Sequence, residues 1–231
     1  LEQVFSFPVQ LAQPEDVRDV LGWQSTSSFR YIMAKPVLKF LRNRRFVLEP
    51  HFHYWPDIRH VTLPCYFKGY WQSARYFKDG DQTIRDLFAF RPFLSDRNHE
   101  IARTMGAVNS VSLHVRRGDY ADNFMNLLKH GLCPLNYYEA AIQYITKHVK
   151  NPLFFIFSDD IDWVRENLKV KSDIHFIDHN RGMESYNDMR LMSLCKHHII
   201  ANSSFSWWSA WLNPDKEKIV IAPQRWFANY P

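Results

Sequence analysis

The segment that decides the fold reads Ser110-Val-Ser-Leu-His-Val-Arg-Arg-Gly-Asp119. Its first six residues predict a buried strand, 110–115, which runs directly into Arg116 and Arg117. In an open parallel sheet, ligands bind beyond the carboxyl ends of the strands. The segment therefore predicts a strand that carries two arginines to the ligand-binding edge of such a sheet.

Short apolar segments alternate with helical patterns through the rest of the chain after residue 110. The apolar segments predict strands at 153–157, 174–177, 198–201 and 218–222. The spacing of apolar residues between them predicts helices at 135–148, 161–168, 184–194 and 205–212. Strands without strict polar alternation are buried on both faces. The pattern therefore predicts an α/β fold with a doubly wound parallel sheet.

The residues before this region have a different, largely helical pattern. It predicts helices at 11–22, 27–41, 81–90 and 95–105 and a strand at 66–71. The change of pattern at Met105-Gly106-Ala107 predicts a domain boundary. We expect an N-terminal domain at 1–105 and a ligand-binding C-terminal domain at 106–231.

The composition excludes several protein classes. Hydrophobic residues make up 46% and charged residues 23% of the chain, which excludes a disordered, collagen-like or disulfide-rich protein. The formal charge of +5 is too small to predict a nucleic-acid binder. It fits an anionic small molecule or a nearby anionic membrane. Cys65, Cys133 and Cys195 form no Cys-x-x-Cys motif, which predicts a reducing, cytoplasmic location.

One basic segment bears on membrane contact. Residues 35–45 predict a basic, partly amphipathic helix that either touches an anionic lipid surface peripherally or is a solvated helix face. No apolar run in the sequence approaches the roughly 18 residues of a membrane span. A peripheral contact is therefore the kind of membrane association that the sequence predicts.

Arg116 and Arg117 are the most specific feature of the predicted sheet edge. An arginine stays charged and offers a planar fork of donors that binds phosphate oxygens. An isolated pair would more often consist of one arginine paired with Asp119 and one in solvent. The position of Arg116 and Arg117 directly after a buried strand favours phosphate binding instead. Arg117-Gly118-Asp119 also matches an adhesion tripeptide, which fits a cleft poorly.

Polar side chains also follow the other predicted strands. Asn202-Ser203-Ser204 opens a helix whose free N–H groups and dipole attract a phosphate or sugar, although simple helix capping explains the same residues. Asp159 and Asp160 cap the next helix, or Asp159 binds a base or ribose. This polar rim on an apolar sheet predicts a cleft for a polar ligand.

Three sequence blocks occur in the order of a known family. They are His114-Val-Arg-Arg-Gly-Asp-Tyr120, Phe157-Ser-Asp-Asp160 and Ile200-Ala-Asn-Ser-Ser-Phe-Ser-Trp-Trp208. Together they resemble the signature blocks of the α-1,2-fucosyltransferases, glycosyltransferase family 11, and especially of its bacterial branch. Segments 69–77 and 187–193 resemble the same family, so the resemblance covers most of the chain from residue 60 onward.

The resemblance implies a GT-B fold in which residues 1–105 form an acceptor-side domain and residues 106–231 bind the donor. It implies transfer of L-fucose, with inversion, from GDP-β-L-fucose to the 2-hydroxyl of a terminal galactose on a glycan. No metal and no other cofactor is implied. Arg116 and Arg117 would hold the donor diphosphate. The other predicted donor-binding residues are His114, Asp159, Asn202, Ser203, Ser204 and Phe205.

Two features compete with a metal-free site. Asp79-Gly80-Asp81 has the Asp-x-Asp spacing with which some glycosyltransferases hold a divalent metal, but a turn followed by a helix cap explains it. His51 and His53 have no third ligand nearby in the sequence. The sequence therefore predicts that no metal is bound.

The acceptor base and the completeness of the site stay open from sequence alone. Asp119 and Asp159 are candidate bases by position, although Asp119 could instead orient Arg117, and a donor phosphate oxygen or a missing segment could take the proton. Residues 1–60 lack the glycine-rich block with which the resembled family opens. We therefore expect an incomplete N-terminal portion, which makes a non-catalytic GDP-sugar-binding fragment the alternative function.

Overall fold

A computed structural model describes residue 2 and residues 4–92 and 95–228. The chain divides into two compact units, Leu1–Ala89 and Phe90–Pro231. The regular elements of the first unit are helices α1 (Pro14–Leu21), α2 (Ser27–Met33) and α3 (Asp81–Leu87) and strands β1 (Phe46–Leu48) and β2 (Tyr66–Lys68). The two strands pair in parallel. β1 was not predicted from the sequence.

The predicted helix over 27–41 is wrong in its second half. It ends at Met33, and Pro36–Leu41 forms a separate 3₁₀ helix. Proline lacks the backbone N–H that a continuous α-helix needs, so Pro36 begins a new element instead of extending α2. The basic segment 35–45 is therefore a 3₁₀ turn and a loop, not the amphipathic helix that the sequence predicts.

The second unit contains a five-stranded parallel sheet. Its elements are α4 (Asp96–Ala107), β3 (Asn109–Val115), α5 (Gly118–Asp122), α6 (Phe124–His130), α7 (Leu135–His148), β4 (Pro152–Ser158), α8 (Ile161–Asn167), β5 (Ile174–Ile177), α9 (Tyr186–Leu194), β6 (His197–Ile199), α10 (Ser204–Leu212) and β7 (Val220–Ile221). The strand order is β5-β4-β3-β6-β7. The chain builds outward from β3 to β5, returns to the other side of β3 and builds outward again. The predicted doubly wound α/β sheet is confirmed.

Two apolar cores cover the two faces of this sheet. On one face, Val111 and Leu113 of β3 pack with residues of α7 and α8, among them Ile145 and Val164. On the other face, Phe155 of β4 packs with residues of α4 and α9. Helices thus cover both faces, as parallel strands require, and β3 buries Ser110, Ser112 and His114 as well as apolar side chains.

The predicted boundary at residue 106 lies inside an element of the second unit. α4 ends at Ala107 and places Ile101 and Met105 in the core under the sheet. The compact unit therefore extends back to Phe90, because burying these two side chains ties α4 to the sheet.

Candidate functional site

A cavity of about 780 Å³ opens at the carboxyl ends of the strands in the second unit. Its walls come from the segments that follow β3, β4, β5 and β6. β3 and β6 are the neighbouring strands at which the winding of the sheet reverses. In doubly wound sheets, ligands bind at this crossover point, because the connections leave the strand ends in opposite directions and open a crevice.

Arg116 lies in the cavity wall, fixed by two carboxylates. Its Nη1 lies 2.9 Å from Asp159 Oδ2, and its Nη2 forms an ion pair with Asp119 Oδ1. The guanidinium also lies 5.3 Å from the centre of the Tyr120 ring. The side chain keeps 31% of its surface exposed, so it can still meet a ligand. Arg116 is thus a positive charge held in place before any ligand arrives.

The sequence predicts that Arg116 and Arg117 hold the same diphosphate, but the side chain of Arg117 lies elsewhere. Its guanidinium stacks on Trp163 of α8, with Cζ 3.6 Å from the ring centre, and its Nε donates to Asp160 Oδ2 at 3.2 Å. Arg117 is not among the described residues that line the cavity. Only one of the two adjacent arginines therefore faces the cleft, because consecutive residues at the strand end point in different directions. Asp119, considered as a partner of Arg117, pairs with Arg116 instead.

Gly118 allows the close approach of Asp159. The Asp159 Oδ1 atom accepts a hydrogen bond of 2.8 Å from the backbone N–H of Arg117. A Cβ atom built on Gly118 would overlap the Asp159 carboxylate. A glycine is needed here for space. This packing holds the Asp159 side chain where it can bind Arg116.

The start of α10 forms the facing wall. Ser203 and Ser204 both line the cavity, and Ser204 is the first residue of the nine-residue helix. The side chain of Ser203, at the N-cap position, makes no capping hydrogen bond to the described residues. The unpaired backbone N–H groups of the first turn and the helix dipole make this end of α10 attractive to an anion.

Asn202 differs from its two neighbours. Its Nδ2 donates to the backbone oxygen of His130 at 2.8 Å, and its Oδ1 accepts a contact of 3.4 Å from Cys133 Sγ. Asn202 is buried and is not among the described cavity-lining residues. These contacts connect the end of β6 to the last residue of α6 and to the segment after it. They do not support the predicted donor-binding role of Asn202.

His114 and Phe205 meet beneath the cavity. Their ring centres are 5.8 Å apart, and both residues line the cavity. Burial, together with the charge of Arg116, lowers the pKa of His114 to about 3, so the ring is neutral at physiological pH. Its buried Nδ1 has no hydrogen-bond partner among the described residues. His114 is thus an uncharged, polar part of the cavity floor.

Tyr120 and His130 also line the cavity but were not predicted. Their rings stack with centres 4.6 Å apart. They belong to α5 and α6, which the sequence pattern did not identify. Asn123 was the available signal, because its side chain caps α6 by accepting from the N–H groups of Met125 and Asn126.

Asp188 lies in the far wall of the cavity and was also not predicted. Burial raises its pKa to about 7, although Asn180 Nδ2 donates to its Oδ1 at 2.8 Å. Asn180 is held in turn by the buried Asn98 of α4, whose Nδ2 donates to Asn180 Oδ1 at 2.9 Å. Asp188 and Asn180 thus add a carboxyl and an amide group to the cavity wall, which Arg181 also lines.

The two features considered for a metal are engaged in other contacts. Asp79 pairs with Arg59 at 3.2 Å and Asp81 pairs with Arg85 at 3.1 Å, so each carboxylate already has a cation. His51 Nδ1 lies 3.0 Å from the backbone oxygen of His53. These four residues belong to the first unit, whereas the cavity-lining residues belong to the second.

A family profile described as Glycosyl transferase family 11 matches residues 39–230. The chain belongs to this family. It is 43% identical to an Alpha-1,2-colitosyltransferase of Escherichia coli, in an alignment that covers 70% of this chain and 56% of that relative. It is also 43% identical to the O-antigen biosynthesis glycosyltransferase WbnK of Escherichia coli, in an alignment that covers 71% of this chain and 55% of that relative. It is 29% identical to the Galactoside alpha-(1,2)-fucosyltransferase 2 of Sus scrofa over 81% and 58%.

The alignments cover little more than half of the length of these relatives. The resemblance to family 11 that the three blocks carry is confirmed. The cavity lies within the matched residues, and so do all three blocks.

Proposed function

We propose that this family 11 member binds a GDP-sugar in the cavity and transfers its 6-deoxyhexose in α-1,2 linkage. The proposed reaction is inverting transfer of L-fucose from GDP-β-L-fucose to the 2-hydroxyl of a terminal galactose, within a GT-B fold. The observation that carries the proposal is Arg116, fixed at the end of β3 in the same cavity as Ser203 and Ser204. The relatives named for fucosyl and colitosyl transfer support the linkage.

Arg116 would act on the leaving group. Breaking the bond between the sugar and the diphosphate places negative charge on the diphosphate, and a cation fixed at that point stabilises the transition state more than the ground state. The start of α10 would add N–H donors and the positive end of a helix dipole on the other side. Ser203, Ser204 and Phe205 would complete the contacts to the diphosphate and sugar.

Asp188 would bind the nucleobase at the opposite end. Guanine presents two neighbouring N–H donors, at N1 and N2, and the ionised form of Asp188 accepts from both, so bound guanine would oppose the burial that raises the pKa of this carboxyl. Asn180 holds Asp188 Oδ1 at 2.8 Å and thereby fixes the acceptor. His114, neutral and buried, would contact the middle of the nucleotide. This assignment places the anionic part of GDP at Arg116 and its donor-bearing edge at Asp188.

Asp119 is the better of the two candidate bases. Its side chain is 52% exposed, against 24% for Asp159. Both carboxylates pair with Arg116, but Asp159 also accepts a hydrogen bond from the backbone N–H of Arg117. We therefore propose that Asp159 positions Arg116, while Asp119 receives the proton of the acceptor hydroxyl. Arg117 would support the site from behind by anchoring its segment to α8.

GDP-colitose is a second candidate donor, favoured by the 43% identity to a colitosyltransferase. Colitose lacks the 3-hydroxyl of fucose, so one experiment separates the two. The protein is incubated with either GDP-sugar and a panel of β-galactosides, and the product linkage is determined by NMR spectroscopy. An α-1,2-linked product is expected, and the preferred donor identifies the sugar.

Calorimetry with GDP accompanies this assay. Heat of GDP binding without any product would favour the non-catalytic GDP-sugar binder over the enzyme. If the protein neither binds GDP nor forms a product, the proposed function is wrong. A product of another linkage would leave the donor site intact and overturn the acceptor assignment.

A further inference from the structure

The first unit exposes a group of large apolar side chains within residues 22–45, here called the basic apolar patch. Val37 and Phe40 are 82% and 79% exposed, which is unusual for side chains of this size. Five more are exposed in the same segment: Trp23, Phe29, Tyr31, Ile32 and Leu41. Contiguous exposed apolar surface of this kind marks a place where something else binds.

These side chains belong to elements that pack together. The 3₁₀ helix Gly22–Ser25 and the 3₁₀ helix Pro36–Leu41 both contact α2. The rings of Trp23 and Phe29 meet edge to face with centres 5.2 Å apart. The ammonium group of Lys35 lies 5.9 Å from the centre of the Tyr31 ring. The exposed groups therefore come from neighbouring elements of the first unit.

The charged residues of this segment have a single sign. Between Val20 and Leu48 the sequence contains six lysines and arginines and no aspartate or glutamate, in a chain whose net charge is only +5. The basic residues are Arg30, Lys35, Lys39, Arg42, Arg44 and Arg45. Lys35, Lys39, Arg44 and Arg45 are exposed. None of the ion pairs between described residues involves any of the six.

We propose that the basic apolar patch binds the surface of an anionic lipid bilayer. Aromatic and aliphatic side chains enter the interface between headgroups and acyl chains, while neighbouring lysines and arginines bind anionic headgroups. The short elements lie along the surface, and no helix of the described residues is long and apolar enough to cross a membrane. A second copy of the patch fits poorly, because a two-fold interface would bring like charges together.

Co-sedimentation with vesicles tests this inference independently of the proposed enzyme activity. Vesicles of phosphatidylcholine alone are compared with vesicles that also contain phosphatidylglycerol. We expect binding that requires the anionic lipid and weakens as salt is raised. The double variants Val37→Ser/Phe40→Ser and Lys35→Glu/Lys39→Glu should each weaken binding by about tenfold or more.

The control is Leu11→Ser, which removes an apolar side chain that is 76% exposed outside the patch. It should bind vesicles like the unchanged protein. Circular dichroism checks that the variants stay folded, which is expected for exposed positions. The proposal is overturned by no binding, by equal binding to both vesicle types, or by vesicle binding that both double variants retain. It is also overturned if light scattering shows self-association that both double variants abolish, because the patch would then be an interface between copies.

Discussion

The cavity wall and the basic apolar patch both carry arginines, but they hold them differently. Arg116 is bound by two carboxylates beside an aromatic ring, at the end of a fully buried strand. Arg44 and Arg45 in the patch are exposed and take part in none of the ion pairs between described residues. The first arrangement fixes a charge at one point, whereas the second leaves it free to follow a diffuse surface.

This difference indicates two kinds of partner. A fixed cation needs no reorganisation when charge develops on a leaving group, so it is suited to catalysis. Free cations on flexible side chains are suited to lipid headgroups, whose positions are not fixed. The comparison predicts that substitutions in the two regions have separate effects.

The largest effect should come from Arg116→Ala. We expect turnover to fall by about 10²–10³-fold, because the variant removes a fixed charge at the leaving diphosphate. Arg44→Ala, which removes an equal charge from the patch, is the matched control and should keep normal turnover. A transfer assay measures both. Equal turnover of the two variants would remove the distinction between fixed and free arginines.

The next effect should come from Gly118→Ala, which tests how sharply Asp159 must be placed. The added methyl group displaces the Asp159 carboxylate and with it Arg116, and we expect turnover to fall by up to about 10²-fold. Gly106→Ala is the matched control, because no described atom beyond its chain neighbours and its own helix backbone lies within 4 Å of its Cβ position. Turnover of Gly118→Ala at the level of this control would show that Asp159 does not position Arg116.

Acidification should destabilise the protein through buried histidines. Burial lowers the pKa values of His114 and His198 to about 3, against an ordinary value of 6.5, so below pH 6.5 the unfolded state binds more protons than the folded state. Each histidine therefore lowers the free energy of unfolding by about 1.4 kcal/mol for every pH unit that the pH falls further below 6.5. Asp188, with a pKa of about 7, binds its proton more tightly in the folded state and therefore raises the free energy of unfolding as the pH falls. Down to about pH 4, this gain offsets the loss caused by about one of the two histidines.

Urea unfolding at pH 6.5 and pH 5.0 measures this balance. We expect a net loss of about 1–2 kcal/mol in the free energy of unfolding, because the two histidines together remove about 3 kcal/mol and Asp188 restores about 2 kcal/mol. Asp188→Asn removes the offset, so its loss should be about twice as large. A free energy of unfolding that rises on acidification would contradict the assigned burial of the two histidines.

The smallest effect should come from Arg117→Ala. Because Arg117 stacks on Trp163 and pairs with Asp160, we expect its removal to lower the free energy of unfolding by about 1–2 kcal/mol. Its loss of turnover should be much smaller than that of Arg116→Ala. Urea unfolding measures the loss of stability, and the transfer assay measures the loss of turnover. A turnover as low as that of Arg116→Ala would restore the prediction that both arginines hold the diphosphate.

The sheet and most of its helices could be predicted because short apolar segments alternate with helical patterns, most clearly in β4, where Leu153–Phe157 is an unbroken apolar run. β5 and α7 were predicted at their observed limits, Ile174–Ile177 and Leu135–His148. In the first unit, β1 pairs along only Phe46–Leu48, and such a short strand has no readable period. Pro36 was the visible signal against a continuous helix at 27–41.

The candidate site was predictable at the strand ends and not beyond them. The sequence predicts that Arg116 and Ser203 each follow a strand of one sheet, and the structure shows that the two strands are neighbours and that both residues line one cavity. It does not show that Arg117 turns toward Trp163, because side-chain direction at a strand end depends on packing with α8. Asp188 was missed because its distinguishing property is burial, which comes from the tertiary fold.

Hydrogen exchange with and without GDP tests the central claim most directly. If the cavity binds the nucleotide, GDP should slow exchange at residues 118–122 and 203–206 together, because these segments face the same cavity from two sides. Residues 35–41 of the basic apolar patch should exchange at an unchanged rate. Unchanged exchange at both cavity segments under saturating GDP, or slowing confined to other parts of the chain, would contradict the assignment of this cavity as the nucleotide-sugar site.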